Sequence, residues 1–96
     1  MPTYAWIAAF RLDFKKLSPT EKAAFLQSVR AFVEDLESGS FRPGLRIKGV
    51  RGVRRVSEMT WAQNGRATFE YGAERIPGEA HIIWRRVGTH EIFDRP

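Results

Sequence analysis

No cysteine occurs in this chain of 96 residues, which excludes disulfides, thiolate nucleophiles and cysteine-based metal sites and suits a reducing cytoplasm. Histidine is scarce. His81 and His90 are the only two, and neither has partners at metal-ligand spacing, so no metal and no cofactor is expected. Gly-rich phosphate loops and calcium-binding loops are missing, and Ser57 lacks the surroundings of a nucleophile elbow, which argues against a serine hydrolase. Long apolar runs are also missing. The nearest approach, Tyr4 to Phe10, is short, is not preceded by basic residues and is followed by Arg11 and Asp13. It reads as neither a signal peptide nor a membrane span, and a soluble, cytoplasmic protein with no membrane contact is expected.

Positive charge, by contrast, is in excess, with 16 Lys and Arg against 11 Asp and Glu. The excess is unevenly placed. Up to Gly39, the cations Arg11, Lys15, Lys16, Lys22 and Arg30 are matched by Asp13, Glu21, Glu34, Asp35 and Glu37. Beyond it, Arg42, Arg46, Lys48, Arg51, Arg54 and Arg55 follow one another with no acid until Glu58. Such a block is the electrostatic footprint of a polyanion, because each neutralised phosphate releases counterions. A solubilising surface or an acidic protein partner is the other reading; six cations without an interleaved acid favour nucleic acid.

The length suits one domain, 1–96, with a modest core and no linker or repeat. Residues 3–8 are expected as a strand with Trp6 and Phe10 on the core side, followed by a short helical turn from Asp13 to Leu17. Ser18, Pro19 and Glu21 then supply an N-cap, a proline at the first helical position and a capping-box glutamate. The helix they open is predicted to run to about Ser38, burying Phe25, Val29, Phe32, Val33 and Leu36, with Gly39 as its stop. Phe41 to Leu45 must be irregular. Val53 to Trp61 is predicted as a strand, Asn64-Gly65 as a hairpin turn, Arg66 to Tyr71 as the return strand and Ala80 to Val87 as a third strand. On the return strand Ala67, Phe69 and Tyr71 face one way, and Arg66, Thr68 and Glu70 the other. The expected architecture is α+β: a small antiparallel sheet of about four strands with two N-terminal helices on one face, leaving the other free for polar chemistry.

Three residues beside the basic block could carry a reaction. Glu58 is the only acid of the middle strand, Arg66 opens the return strand opposite Phe69, and His90 follows the Gly88-Thr89 corner. Cleaving RNA by attack of its own 2′-hydroxyl needs a base for that proton, an acid for the leaving 5′-oxygen and a cation for the charge developing on phosphorus. Glutamate, histidine and arginine can fill these roles without metal. The bland alternative is that Glu58 pairs with Arg54 or Arg66 across the hairpin, worth well under ~1 kcal/mol if exposed, and that His90 is a surface histidine. Trp61 and Tyr71 would offer stacking platforms to a plain RNA-binding module, whereas Phe69 and Trp84 read as core.

The order of these pieces resembles the RelE/ParE superfamily of bacterial toxins, in particular its RelE/YoeB-like mRNA interferase branch. The likeness runs from Asp13-Phe-Lys-Lys-Leu17 through the long helix and Leu45-Arg-Ile-Lys-Gly49. It continues through Val56-Ser-Glu-Met59 and the Asn64-Gly-Arg-Ala-Thr-Phe69 hairpin to Arg86-Val-Gly-Thr-His-Glu-Ile-Phe93. It implies a toxin silenced by a cognate antitoxin and, when free, cutting mRNA on the ribosome. By the same resemblance Glu58 would be the general base, Arg66 the phosphate holder and His90 the general acid, with Lys48, Arg51, Arg54, Arg55 and Arg86 holding RNA or antitoxin carboxylates. The chain departs from that pattern at Thr60, where many nucleolytic members carry a cation, and at Phe93, where many have a tyrosine. A ParE-like inhibitor of DNA gyrase is the alternative within the superfamily.

Overall fold

Two residues, Leu17 and Ser18, separate the helices α1 (Ala8–Lys16) and α2 (Pro19–Ser38) in the computed structural model, which describes residues 1–96. The boundary has the expected chemistry. The Glu21 backbone N–H donates to the Ser18 hydroxyl (3.1 Å) while the Ser18 N–H donates to the Glu21 carboxylate (2.8 Å), and Pro19 occupies the first turn. At the far end Gly39 adopts the left-handed conformation (φ 90°), and its N–H bonds the Asp35 carbonyl, closing α2 as predicted. Helix α1 is longer than the expected turn over 13–17, because Phe10 and Phe14 stand one helical step apart and stack at 6.1 Å.

The remaining elements are the strands β1 (Thr3–Trp6), β2 (Lys48–Gly49), β3 (Ser57–Thr60), β4 (Arg66–Gly72) and β5 (His81–Gly88). Short 3₁₀ turns lie at Pro43–Leu45 and His90–Asp94. The sheet has five strands in the order β1-β5-β4-β3-β2, where about four were expected. Nor is it wholly antiparallel. β1 runs parallel to β5, with Thr3 opposite His81 and Trp6 opposite Trp84. The first and last strands are joined by no hairpin that would set their relative direction, so local pattern could not reveal this pairing. The Thr3 hydroxyl and His81 Nδ1 add a 2.7 Å hydrogen bond to that seam.

Two predicted strands shorten. The first stops at Trp6, which borders the helix side as expected but is half-exposed because β1 is a sheet edge. The stretch from Val53 becomes extended only at Ser57. Ahead of it Val50 and Val56 close a loop through Val50 N–H to Val56 O (2.8 Å), with Gly52 and Arg55 at positive φ. The hairpin after β3 spans Ala62 to Gly65, closed by Trp61 N–H to Gly65 O and Gly65 N–H to Ala62 O. Gly65 is therefore not serving as the left-handed half of a two-residue turn. A Cβ there would lie 2.6 Å from the Trp61 ring, so close packing of the indole is what requires glycine.

The core forms where α2 crosses the sheet. Phe32 meets Phe69 edge-on at 4.9 Å and Trp84 at 5.4 Å, while Phe25 stands edge-on to Trp84 at 5.5 Å. Met59, Ala67, Phe69, Ile82 and Val87 complete the buried side of the sheet. Phe69 and Trp84 are core, as read from the sequence; Tyr71 contacts Phe69 but lies beyond the helix and is 55% exposed. One buried carboxylate breaks the apolar face of α2. Asp35 accepts from the Arg42 N–H (2.8 Å), Nε (2.9 Å) and Nη2 (2.9 Å), tying the loop after α2 to the helix.

Candidate functional site

The sheet surface away from the helices is built from rows of cross-strand partners, which share a face. One row runs Lys48, Glu58, Thr68, Arg86; the next runs Thr60, Arg66, Gly88. Glu58 and Arg66 are thus diagonal neighbours on adjacent strands, a placement that typically separates Cβ atoms by ~7–8 Å. The Glu58 carboxylate is largely buried, and neither Arg54 nor Arg66 pairs with it. Its nearest cation is Lys48 Nζ at 3.9 Å, outside hydrogen-bond distance.

Arg66 is held by the hairpin it follows. Its Nη1 donates to the carbonyls of Ala62 (3.2 Å), Gln63 (3.2 Å) and Gly65 (2.9 Å). Its own carbonyl accepts from Trp61 Nε1 at 3.0 Å, and that indole rests on Gly65. Tight turn, indole and guanidinium therefore form one unit. No carboxylate neutralises this arginine, so its charge and its remaining donors stay available to a phosphate. His90 begins the 3₁₀ turn two residues beyond Gly88, the strand partner of Arg66, and so lies at the same end of the sheet. Its exposed ring rests against Phe93 at 5.6 Å, and no hydrogen bond links it to Glu58 or Arg66.

The basic block divides. Arg51, Arg54 and Arg55 project from the loop between β2 and β3, all exposed and without carboxylate partners. Arg42 is instead bound to Asp35 and Glu34, and the pair holds Asp35 below the usual carboxylate range, mainly through the Arg42 side-chain hydrogen bonds. Arg86 is also engaged. It forks onto Asp13 of α1 through Nε (2.6 Å) and Nη2 (3.1 Å), and the Val87 N–H joins the same carboxylate at 3.2 Å. That bond raises the Arg86 pKa above its ordinary value, so this arginine fastens β5 to α1. Of the two candidate stacking rings, Trp61 is buried and Tyr71 is exposed.

One polar residue escaped sequence reasoning. Between Thr68 and Phe69 the pairing with β5 slips, so that Arg86 and Trp84 face successive residues and Arg85 is extra. Arg85 joins Glu70 at 3.0 Å, and Arg85 and Thr68 both donate to the main-chain oxygen of Pro96. No local pattern announces such a slip. Elsewhere an apolar groove of about 440 Å³ lies between α1, α2 and β1, lined by Tyr4, Trp6, Phe14, Leu26 and Val33. It lies on the helix side of the sheet, away from Glu58 and Arg66. No group of three or more His, Asp or Glu side chains comes together as a metal cage, and no helix is long and apolar enough to cross a membrane.

Neither a family model nor a curated protein matches the sequence. Solved structures do match in shape. The chain is similar to one in the Escherichia coli DinJ-YafQ toxin-antitoxin complex (TM-score 0.69, 9% identity, covering 94% of this chain and 93% of that one). It is similar to a copper-bound mutant toxin from Helicobacter pylori (0.66, 16%, 95% and 97%). A third likeness is to a chain of the RelB-RelE antitoxin-toxin complex from Methanococcus jannaschii (0.59, 22%, 96% and 99%). The chain has the α+β fold of the RelE-type toxins along nearly its whole length.

Proposed function

We propose that the chain is the toxin of a toxin–antitoxin pair and an endoribonuclease that cleaves mRNA on the ribosome by metal-independent attack of the 2′-hydroxyl. The observation that carries this reading is Arg66: an arginine locked by its hairpin, free of any carboxylate, and diagonal to the largely buried Glu58, whose strand is preceded by an exposed arginine loop. In this reading Glu58 takes the 2′-hydroxyl proton, Arg66 stabilises the charge developing on phosphorus, and His90 protonates the leaving 5′-oxygen. Lys48, Arg51, Arg54 and Arg55 hold the RNA backbone, while Arg86 acts by fixing β5 against α1. His90, being exposed, reaches the phosphate only once RNA is bound. The silencing partner is an acidic or amphipathic antitoxin segment lying across the open face or α2, with carboxylates on Arg51, Arg54 and Arg55.

Expression in cells tests the proposal. The wild-type chain should stop growth and shorten transcripts that are being translated, and Glu58→Ala or His90→Ala should cut cleavage by roughly 10²–10⁴-fold. Arrest that persists in the double variant, with DNA damage in place of mRNA loss, would favour a gyrase inhibitor. Binding of RNA with no cleavage by any variant would leave only an RNA-binding module.

A further inference from the structure

Helix α2 covers only part of the sheet. Its Phe32 packs on Phe69 of β4 and Trp84 of β5, while β1 lies at the edge beyond them. Tyr4 and Trp6 stand opposite Ile82 and Trp84 on the helix side, yet they are 63% and 51% exposed. With Leu26 and Val33 they line the apolar groove of about 440 Å³. It follows α2 from Leu26 to Leu36, ~15 Å by the helical rise. A contiguous apolar surface of this size, with charge on its rim, marks a binding site.

The charge on that rim is of one sign and at one end. Arg11 and Lys15 are the only charged side chains lining the groove. They stand one helical step apart on α1, both exposed, and neither has a carboxylate partner. Phe10 and Phe14 pack on Phe25 at 5.8 and 6.1 Å, which sets this basic wall against the Leu26 end. Lys22 adds a third cation there, 5.5 Å over the Phe14 ring. Toward Val33 and Leu36 the lining carries no charge, and the Thr3 hydroxyl is taken up by His81 Nδ1. An acidic protein helix long enough to fill the groove would need cations along it, whereas an acyl chain with a single anionic head matches the lining throughout. We propose that the groove binds a free long-chain carboxylate, a fatty acid, with its head on Arg11 and Lys15 and its chain beside Leu26, Val29, Val33 and Trp6. Burial of the chain supplies the affinity, and the two cations select the sign of the head. None of these residues belongs to the proposed ribonuclease site, and the groove lies on the other side of the sheet, so either reading can fail without the other.

The test uses the full chain and dodecanoate below its micellar concentration, with dodecyltrimethylammonium as the same chain bearing the opposite charge. In a nuclear magnetic resonance titration the Leu26, Val29 and Val33 methyl signals should shift with dodecanoate and saturate at one molecule per chain, while those of Val53 stay put. The cationic amphiphile should bind at least about tenfold more weakly. Arg11→Gln combined with Lys15→Gln should weaken dodecanoate binding about tenfold and leave the cationic amphiphile no weaker. The ligand-free thermal midpoint should not move, since both side chains are exposed. Equal binding of the two heads, or a double variant that binds dodecanoate as tightly as wild type, would overturn the proposal. So would methyls that respond only to phosphatidylglycerol vesicles, only to rising protein concentration or only to the product of a neighbouring gene. Those outcomes would assign the groove to a membrane surface, a second copy or a protein partner.

Discussion

At Gly65 a single missing side chain decides the position of the arginine next to it. A methyl group there would lie 2.6 Å from the Trp61 ring, and that indole donates to the Arg66 carbonyl. Gly65→Ala should cost ~1–3 kcal/mol by overpacking, measured by chemical denaturation, and should weaken oligonucleotide binding as well, because Arg66 loses its seat. Asp35 makes a prediction about acid. Its folded-state pKa is depressed by Arg42, so its contribution is present above the ordinary carboxylate range and is lost as pH falls through the folded-state value. Asp35→Asn should therefore be less stable than wild type at neutral pH, with the gap in thermal midpoint closing below about pH 4. A gap that stays constant to low pH would rule out the ion pair as its cause.

Among the elements, α2 was the most legible because its signals are local: the Ser18–Glu21 box, the apolar spacing from Phe25 to Leu36, and Gly39. Phe32, read as a core position, touches Phe69, Trp84 and Phe41, and Phe32→Ala should cost ~3–5 kcal/mol in urea or thermal unfolding. The strands were less legible. The hairpin from β3 to β4 could be placed because turn and alternation lie side by side, and with it came the shared face of Glu58 and Arg66. The parallel seat of β1 and the two-residue β2 could not, since partner choice between distant segments leaves no periodic mark. Arg85 was missed for a similar reason: a one-residue slip in pairing moves a side chain to the other face. The carboxylates that engage Arg42 and Arg86, likewise, were not apparent from runs of like charge.

Over the whole molecule, the one run of exposed arginines without carboxylate partners is Arg51, Arg54 and Arg55, on the loop between β2 and β3. An acidic protein partner seated there should associate more slowly as salt rises, because screening shortens the reach of its attraction. Stopped-flow mixing with the product of a neighbouring gene at two salt concentrations reads this directly. An association rate indifferent to salt would move the contact to the apolar groove beside β1. The parallel seam between β1 and β5 has a consequence for the order in which the molecule is made. The N-terminal strand waits for the C-terminal one: Thr3 has no His81, Asp13 no Arg86 and Phe25 no Trp84 until residues 81–88 have emerged from the ribosome. Arg66 likewise lacks its flank at Gly88. A nascent chain is thus without its finished sheet, and without the site that sheet carries, until β5 has been made.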